Sequence, residues 1–260
     1  MNNSTVVTAL YDIGREKFDG RSVSDYLEWF EKTLKLNCNF VVYTEEKFAK
    51  FISDRRDPSN TKIVVRPLCD VPYYKYQEKM LEILSNPVYI ARMRDNFRIE
   101  CKLPLYNIIQ YSKFDWIKET IEYRYFDTQY YFWMDAGCSR FFSDVNVELP
   151  WPDITKLNPN RLNIQGTDFT IDYIQNWPGN EEFMYDCKPI LVGTLFGGTK
   201  TICLHLSDRI KEFFEYFLSQ NHLNNEQVLL GILLKDNPSL FNVYIRNDGT
   251  HLPFFKWISS

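Results

Sequence analysis

An aromatic stretch that ends in an acidic residue is the most chemically suggestive part of this 260-residue sequence. Tyr130 to Met134 are large apolar residues in a run that is too short for a stable helix and typical of a strand buried on both faces. Asp135, Ala136 and Gly137 follow directly. Because ligands bind beyond the carboxyl ends of strands in open α/β sheets, Asp135 is a candidate binding residue. The alternative is an aspartate that only begins a turn.

The composition predicts a folded protein with a substantial core, since 45% of the residues are hydrophobic and 17% are aromatic. The formal net charge of -4 provides no general attraction for nucleic acid, so a bound anion would have to be held locally. The first residues lack the basic and apolar segments of a secretory signal, and the sequence contains no apolar run long enough to span a membrane. We therefore expect a cytoplasmic protein without an integral membrane segment.

Strand and helix patterns alternate through the first part of the chain. Residues Thr5 to Leu10, Asn39 to Tyr43 and Lys62 to Arg66 are predicted strands, and amphipathic helices separate them. This order favours a doubly wound parallel sheet with helices on both faces. A long helix from Leu105 to about Tyr123 then leads to the strand at Tyr130 to Met134.

The second part of the chain, residues 143–260, is predicted to be richer in loops. Residues 143–189 contain many prolines and asparagines and little periodicity, which indicates an elaborated region rather than a separate domain. Ile190 to Leu195 is a predicted strand, and Gly197 and Gly198 are interpreted as part of the turn that follows it. Two helices and a final strand from Phe241 complete the predicted single domain.

Three segments together resemble the HtrL/YibB family of proposed glycosyltransferases, which is also called WlaTC/HtrL. They are Thr-Ala-Leu-Tyr-Asp-Ile-Gly-Arg at 8–15, Pro-Leu-Tyr-Asn-Ile-Ile-Gln-Tyr-Ser-Lys-Phe at 104–114 and Trp-Met-Asp-Ala-Gly at 133–137. The order of the elements is also similar to nucleotide-sugar-dependent glycosyltransferases of the GT-A fold. The resemblance implies a GT-A-like domain with a mostly parallel central sheet, whose residues 1–142 bind the nucleotide and residues 143–260 the acceptor.

The activity implied by this resemblance is transfer of a sugar from a nucleoside diphosphate sugar to a hydroxyl of a glycan or glycoconjugate. A divalent ion, Mn²⁺ or Mg²⁺, would neutralise the diphosphate, with Asp135 and His251 as its implied ligands. The usual GT-A pattern has two aspartates that flank one residue, whereas Gly137 occupies the second position here. His251 is equally interpretable as an ordinary surface histidine.

The resemblance also assigns roles to other residues. Glu226 would be the catalytic base, or in a retaining enzyme the group that stabilises or bonds the reacting sugar carbon. Gly197 and Gly198 would shape the donor and acceptor pocket. Each has a simpler alternative, because Glu226 also suits the start of a helix and the glycines suit a turn. The implied nucleotide-binding residues are Thr8, Ala9, Tyr11, Arg15, Lys113 and Asp135, of which Arg15 and Lys113 could instead be solvated charges.

Other functions remain open at this point. A catalytically inactive nucleotide- or carbohydrate-binding protein would use the same scaffold, and the missing second aspartate favours that alternative. Nucleotidyl transfer or hydrolysis of a sugar nucleotide would use the same phosphate chemistry. An aromatic carboxyl-terminal tail is compatible with an acceptor at a membrane surface, such as a lipid-linked glycan.

Overall fold

A mixed seven-stranded sheet runs through the computed structural model, which describes residues 3–142, 148–186, 188–245 and 251–259. The order of the strands across the sheet, given by their place in the chain, is 3-2-1-4-6-5-7. The strands are β1 (Ser4–Leu10), β2 (Asn39–Thr44), β3 (Thr61–Val65), β4 (Tyr130–Met134), β5 (Leu162–Gly166), β6 (Leu191–Thr199) and β7 (Phe241–Tyr244).

Helices connect the strands and pack on the sheet. They are α1 (Glu16–Asp19), α2 (Val23–Thr33), α3 (Glu46–Ser53), α4 (Gln77–Leu84), α5 (Pro87–Arg92), α6 (Pro104–Glu122), α7 (Thr170–Gln175), α8 (Asn180–Asp186), α9 (Lys200–Ser219), α10 (Glu226–Asp236) and α11 (Pro253–Ile258). None of the helices in the described part of the chain is long and apolar enough to cross a membrane.

Strands β1 to β4 pair in parallel, as their alternation with helices predicts. Strand β6 pairs antiparallel with both β4 and β5, whereas β5 and β7 pair in parallel. Strand β6 therefore runs against the other strands of the sheet. The predicted α/β fold with a mostly parallel sheet is confirmed.

The core has two layers because successive side chains of a strand point to opposite faces of the sheet. In β4, Tyr131 and Trp133 join the layer beneath α4, α6, α9 and α10, whereas Phe132 and Met134 join the layer beneath α2, α3 and α11. Every residue of β4 is buried, as its uninterrupted apolar sequence predicts. Burial on both faces fixes the end of β4, and therefore the position of Asp135.

Two predictions for the second part of the chain are wrong in detail. Gly197 and Gly198 lie inside β6, which extends to Thr199, and α9 follows the strand directly, so no turn separates them. Residues 148–186 contain the short strand β5, which agrees with a predicted region of short strands and loops, but also the helices α7 and α8, which were not predicted. Both errors arise because pairing with neighbouring strands and burial override weak local propensity.

Candidate active site

A cavity of about 490 Å³ opens beyond the carboxyl ends of β1 and β4. Its volume lies within the range of roughly 300–1,000 Å³ that is usual for small-molecule sites. The loop after β1, the segment after β4, the middle of β6 and the beginnings of α6 and α10 form its wall. Residues from both parts of the chain therefore meet at the switch point where β1 and β4 diverge into different connections.

Three ionisable side chains meet at the inner end of this cavity. The Lys113 ammonium donates a hydrogen bond to Glu226 Oε1 at 2.6 Å and lies 3.1 Å from Asp135 Oδ1. It also donates to the carbonyl of Gly193 at 3.1 Å. The side chains of Lys113 and Glu226 are each 1% exposed, whereas that of Asp135 is 29% exposed. We call Lys113, Asp135 and Glu226 the inner charge cluster.

The environment of the inner charge cluster sets its protonation. Burial alone would lower the pKa of Lys113, but the carboxylates of Asp135 and Glu226 raise it above its ordinary value, so the lysine stays charged. Burial raises the pKa of Glu226, and the opposing charge of Lys113 offsets this only in part. Glu226 therefore holds a proton more tightly than an ordinary glutamate and is a stronger base.

The two oxygens of Glu226 differ in their surroundings. Oε1 is bound by Lys113, whereas Oε2 is buried and has no hydrogen-bond partner within the described part of the chain. Glu226 is a residue of the cavity wall, although its side chain is almost fully buried. Buried oxygens usually have partners, and an orphaned one at a cavity wall indicates an acceptor that a ligand hydroxyl would satisfy.

The start of α10 orients Glu226. Asn225 caps this helix by accepting a hydrogen bond from the backbone N–H of Gln227 at 3.2 Å, and its amide donates to Glu100 Oε1 at 2.9 Å. Glu100 is itself buried and ion-paired with Arg98 at 2.7 Å. Glu226 thus opens a capped helix, as one of its two interpretations predicts, and it also lines the cavity.

Gly193 of β6 makes room for Glu226. A Cβ atom at this position would lie 2.2 Å from Glu226 Oε1 and 3.0 Å from Gln227 Cγ, closer than side chains can approach. Any larger residue would therefore displace the carboxylate. The local sequence gives no signal for this role, because it depends on β6 passing beside the start of α10.

Stacked aromatic rings form one side of the cavity. Tyr11 stacks on Trp116 with 5.7 Å between ring centroids, and Trp116 stacks on Trp133 at 5.9 Å. The Trp133 indole N–H donates to Asp135 Oδ1 at 2.6 Å. The Tyr11 hydroxyl is buried and has no partner among the described residues, and burial raises its pKa. This stack holds both Tyr11 and Asp135 in place.

Three arginines line the opposite, more open end of the cavity, and we call Arg15, Arg21 and Arg140 the arginine wall. Arg15 donates to the Tyr26 hydroxyl at 2.6 Å and pairs with Asp19, and its guanidinium carbon lies 4.9 Å from the centre of the Tyr106 ring. The Nε atom of Arg15 is buried and lacks a partner in the described part of the chain. One donor of this guanidinium is thus left for a ligand.

Arg140 is held by stacking and by one backbone contact. Its guanidinium carbon lies 4.7 Å from the centre of the Trp29 ring and 4.9 Å from that of Phe141, and its Nε donates to the Gly137 carbonyl at 3.0 Å. No carboxylate of the described residues forms an ion pair with it. The segment that carries Arg140 is tied to α2, because Ser139 donates a hydrogen bond to the Trp29 carbonyl at 2.6 Å.

The sequence of the chain matches a known protein family. Residues 2–260 match the model of a family described as "Bacterial protein of unknown function (HtrL_YibB)". The chain belongs to the HtrL_YibB family. The match covers nearly the whole chain, whereas the three resembling segments covered only parts of residues 8–137. A search of curated proteins found no match.

The HtrL_YibB chain brings most of the predicted nucleotide-binding residues to one place. The residues that line the cavity are Ala9, Tyr11, Arg15 and Asp135. Lys113 lies behind the cavity wall, in contact with Glu226, which also lines the cavity. Thr8 lies within β1, where it is buried, and its hydroxyl has no partner among the described atoms. Sequence reasoning missed Gly193, Arg21 and Arg140, since an isolated glycine or arginine carries no motif.

The predicted pocket glycines lie elsewhere in this HtrL_YibB chain. A Cβ atom at Gly197 would lie 2.4 Å from the Phe132 ring, so this glycine serves close packing inside the sheet. Because β6 runs antiparallel to β4, its residues 197 and 198 lie beside the beginning of β4. The residues of β6 that line the cavity are Gly193 and Thr194.

The predicted metal ligands, Asp135 and His251, both have contacts with other side chains. Asp135 Oδ1 is already bound by the Lys113 ammonium and the Trp133 indole. His251 is exposed, and its ring packs 5.7 Å from that of Phe141. Within the described ranges, no three histidine, cysteine or acidic side chains form a group that could hold a metal ion. The described residues therefore contain no preformed divalent-ion site, and metal binding by Asp135 and His251 stays a prediction.

The position of the missing second aspartate is tightly packed. A Cβ atom at Gly137 would lie 3.3 Å from the rings of both Trp29 and Tyr26. A carboxylate there would require these rings to move, and they are the rings on which the arginine wall rests. The departure from the two-aspartate pattern is thus part of how this end of the cavity is packed.

Proposed function

We propose that this protein is a glycosyltransferase that moves a sugar from a nucleoside diphosphate sugar to a hydroxyl of a glycan or glycoconjugate. The observation that carries the proposal is the orphaned Oε2 atom of Glu226, a buried acceptor on a residue of the cavity wall. The arginine wall lies in the same cavity. A proton acceptor and a site for an anionic leaving group are the two elements that such a transfer requires.

Glu226 would act as the general base. The acceptor hydroxyl would donate a hydrogen bond to Oε2 and lose its proton to this atom while its oxygen bonds to the sugar carbon. The bond between that carbon and the diphosphate oxygen breaks, and the diphosphate leaves with the bonding electrons. The raised pKa of Glu226 suits this role, because a base works best when its pKa approaches the working pH.

Lys113 and Asp135 would position the base. The Lys113 ammonium holds Oε1 and leaves Oε2 without a hydrogen bond in the described part of the chain, so that Oε2 would serve as the proton acceptor. Asp135 shares the lysine and would contact the donor through its exposed part. Tyr11 offers an aromatic surface for the nucleoside, which is the role predicted for the loop after β1.

Assistance by Mn²⁺ or Mg²⁺ is a separate prediction, for which Asp135 and His251 remain the named ligands. No step above depends on a metal ion. An inactive protein that only binds nucleotides or carbohydrates is the principal alternative, since it would need the same cavity but no base.

The test is product analysis with purified protein. A panel of nucleoside diphosphate sugars and hydroxyl acceptors is incubated with the protein, and mass spectrometry follows the nucleotide and the glycoside. We expect nucleoside diphosphate and glycoside in equal amounts, and the Asp135→Ala variant should lose this turnover while its circular dichroism is unchanged. Nucleoside monophosphate or free sugar as the product would replace the proposal with nucleotidyl transfer or hydrolysis. Donor binding without turnover would indicate a binding protein.

A further inference from the structure

We propose that the arginine wall binds the diphosphate of the donor directly, without a bridging divalent ion. This inference rests on the proposed function and names the groups that neutralise the leaving group. It assigns a binding role to Arg21 and Arg140, which no sequence motif indicated, and it extends the role predicted for Arg15.

Three guanidinium groups gather at the open end of the cavity, and Asp19 is the one carboxylate of the described residues that pairs with them. Asp19 pairs with Arg15 and lies 3.7 Å from Arg21 Nε, so two arginines share one carboxylate. Arg140 has no ion-pair partner among the described residues. Burial and the nearby charges of Arg21 and Arg15 lower the pKa of Arg140, and the opposing effects of Tyr26 and Asp135 offset this only in part. Such a gathering of like charges is unfavourable on its own and is relieved by a bound anion.

Aromatic rings hold two of the guanidinium groups in place. Arg140 lies over Trp29 and Arg15 over Tyr106, so aromatic rings hold each planar group before a ligand arrives. Planar guanidinium groups bind phosphate through paired hydrogen bonds, and preorganised donors lose little entropy on binding. The buried and unpartnered Nε of Arg15 is a donor left for this purpose.

A buried ammonium group lies beside the carboxylate that a metal ion would bind. Asp135 is the acidic residue at the strand end, and the Lys113 ammonium already lies 3.1 Å from its Oδ1. A divalent ion bound to this carboxylate would be close to a buried positive charge, and the repulsion would weaken its binding. The wall thus provides the positive charge that a metal ion supplies in other sites.

Isothermal titration calorimetry tests the inference with the full-length protein. The ligands are the uridine, guanosine, cytidine, adenosine and thymidine diphosphates, together with the corresponding nucleosides. Each is measured in Mg²⁺, in Mn²⁺ and in excess chelator. We expect one diphosphate to bind with the same Kd, within about twofold, in all three conditions. A bridging ion that contributed about 1.4 kcal/mol to the binding free energy would instead change the Kd tenfold.

Two variants locate the phosphate contacts. Arg140→Gln and Arg21→Gln should each weaken diphosphate binding by at least about tenfold, the loss expected for a charge-assisted hydrogen bond, and leave nucleoside binding unchanged. Arg209→Gln is the matched control, because Arg209 is also stacked on a ring, 5.0 Å from Phe213, but lies on α9. It should bind the diphosphate like the unmodified protein.

The outcomes separate the inference from the proposed function. Binding of a diphosphate only with Mg²⁺ or Mn²⁺ would overturn the inference and leave the glycosyltransferase proposal intact. Chelator-resistant binding that neither variant weakens would overturn the assignment to the arginine wall. If product analysis shows transfer from no sugar nucleotide and no diphosphate binds, the proposed function itself fails.

Discussion

The two ends of the cavity hold their charges in different ways. At the inner end, Lys113 and Glu226 are almost fully buried, oppositely charged and in direct contact. At the open end, the arginine wall has like charges, partial exposure and support from aromatic rings. At the inner end the buried cation is paired with carboxylates of the chain itself, whereas at the open end three guanidinium groups have one paired carboxylate, Asp19, among the described residues.

This difference indicates how the proposed work is divided. A buried and internally paired cluster fixes a base in one orientation, which proton transfer requires. An exposed and unbalanced wall attracts an anion and releases it again, because charges near water are screened. Substitutions at the inner end should therefore affect rate and stability, and those at the open end should affect binding.

The largest effect is expected for Glu226→Gln. Loss of the base should reduce the rate of transfer by about 10²–10⁴-fold, whereas donor binding should change little. Rates from steady-state product formation and Kd values from calorimetry give the two quantities. Glu212→Gln, an exposed glutamate on α9, is the control and should keep the full rate. Equal losses of rate and donor affinity would instead make Glu226 a structural cap.

The pH dependence of the same reaction supports the assignment. Glu226 must be ionised to accept a proton, so kcat/KM should fall as pH is lowered through a pKa above the ordinary glutamate value of 4.5. The residual activity of Glu226→Gln should lack this decline. A decline that persists in the variant would assign the titration to another group.

The next largest effect is expected for Lys113→Met, which leaves two carboxylates without their shared cation. The free energy of unfolding at neutral pH should fall by about 3–5 kcal/mol, as when one partner of a buried ion pair is removed. The deficit should shrink at low pH, where the carboxyl groups are protonated. Denaturant titration measures both quantities.

Lys118→Met on the same helix provides the comparison. Lys118 pairs with Asp208 at 2.7 Å, and its side chain is 36% exposed. A surface pair of this kind should contribute less than about 1 kcal/mol. Equal destabilisation by the two variants would contradict the distinction between a buried cluster and a surface pair.

A smaller loss is expected for Gly193→Ala, because the new methyl group would overlap Glu226 Oε1. Overpacking of this kind costs about 1–3 kcal/mol of stability, and displacement of the base should also reduce the rate. If the clash is the cause, the double variant Gly193→Ala with Glu226→Asp should recover stability relative to Gly193→Ala. Additive losses would show that the effect arises elsewhere.

The smallest effect on stability is expected for Arg21→Gln. The side chain is 40% exposed and its contact with Asp19 is long, so the free energy of unfolding should change by less than about 0.5 kcal/mol. Thermal unfolding without ligand gives this value. A loss as large as that of Lys113→Met would show that the open end is structurally committed and would remove the contrast between the two ends.

The sequence predicts best where one local pattern decides the structure. The buried strand Tyr130–Met134 and the long helix of Lys113 are both determined by residues close together in the chain, and both are found. The position of Asp135 can be predicted because the residue directly follows this strand. The prediction that Glu226 begins a helix is also confirmed.

The sequence predicts poorly where distant strands decide the structure. The direction of β6 depends on its partners β4 and β5, and this direction determines that Gly193 rather than Gly197 lies at the cavity. The arginine wall combines the loop after β1 with the segment after β4, and both of these contact α2 and its rings. Each arginine taken alone resembles a solvated surface charge.

The contact between Trp133 and Asp135 has an optical consequence. An indole that donates a hydrogen bond to a carboxylate and lies 5.5 Å from the Lys113 ammonium experiences a strong local electric field. Tryptophan emission shifts with such a field, and Trp133 lines the cavity where a ligand would alter it. The protein therefore contains its own fluorescent reporter, and occupancy of the cavity can be followed without a label.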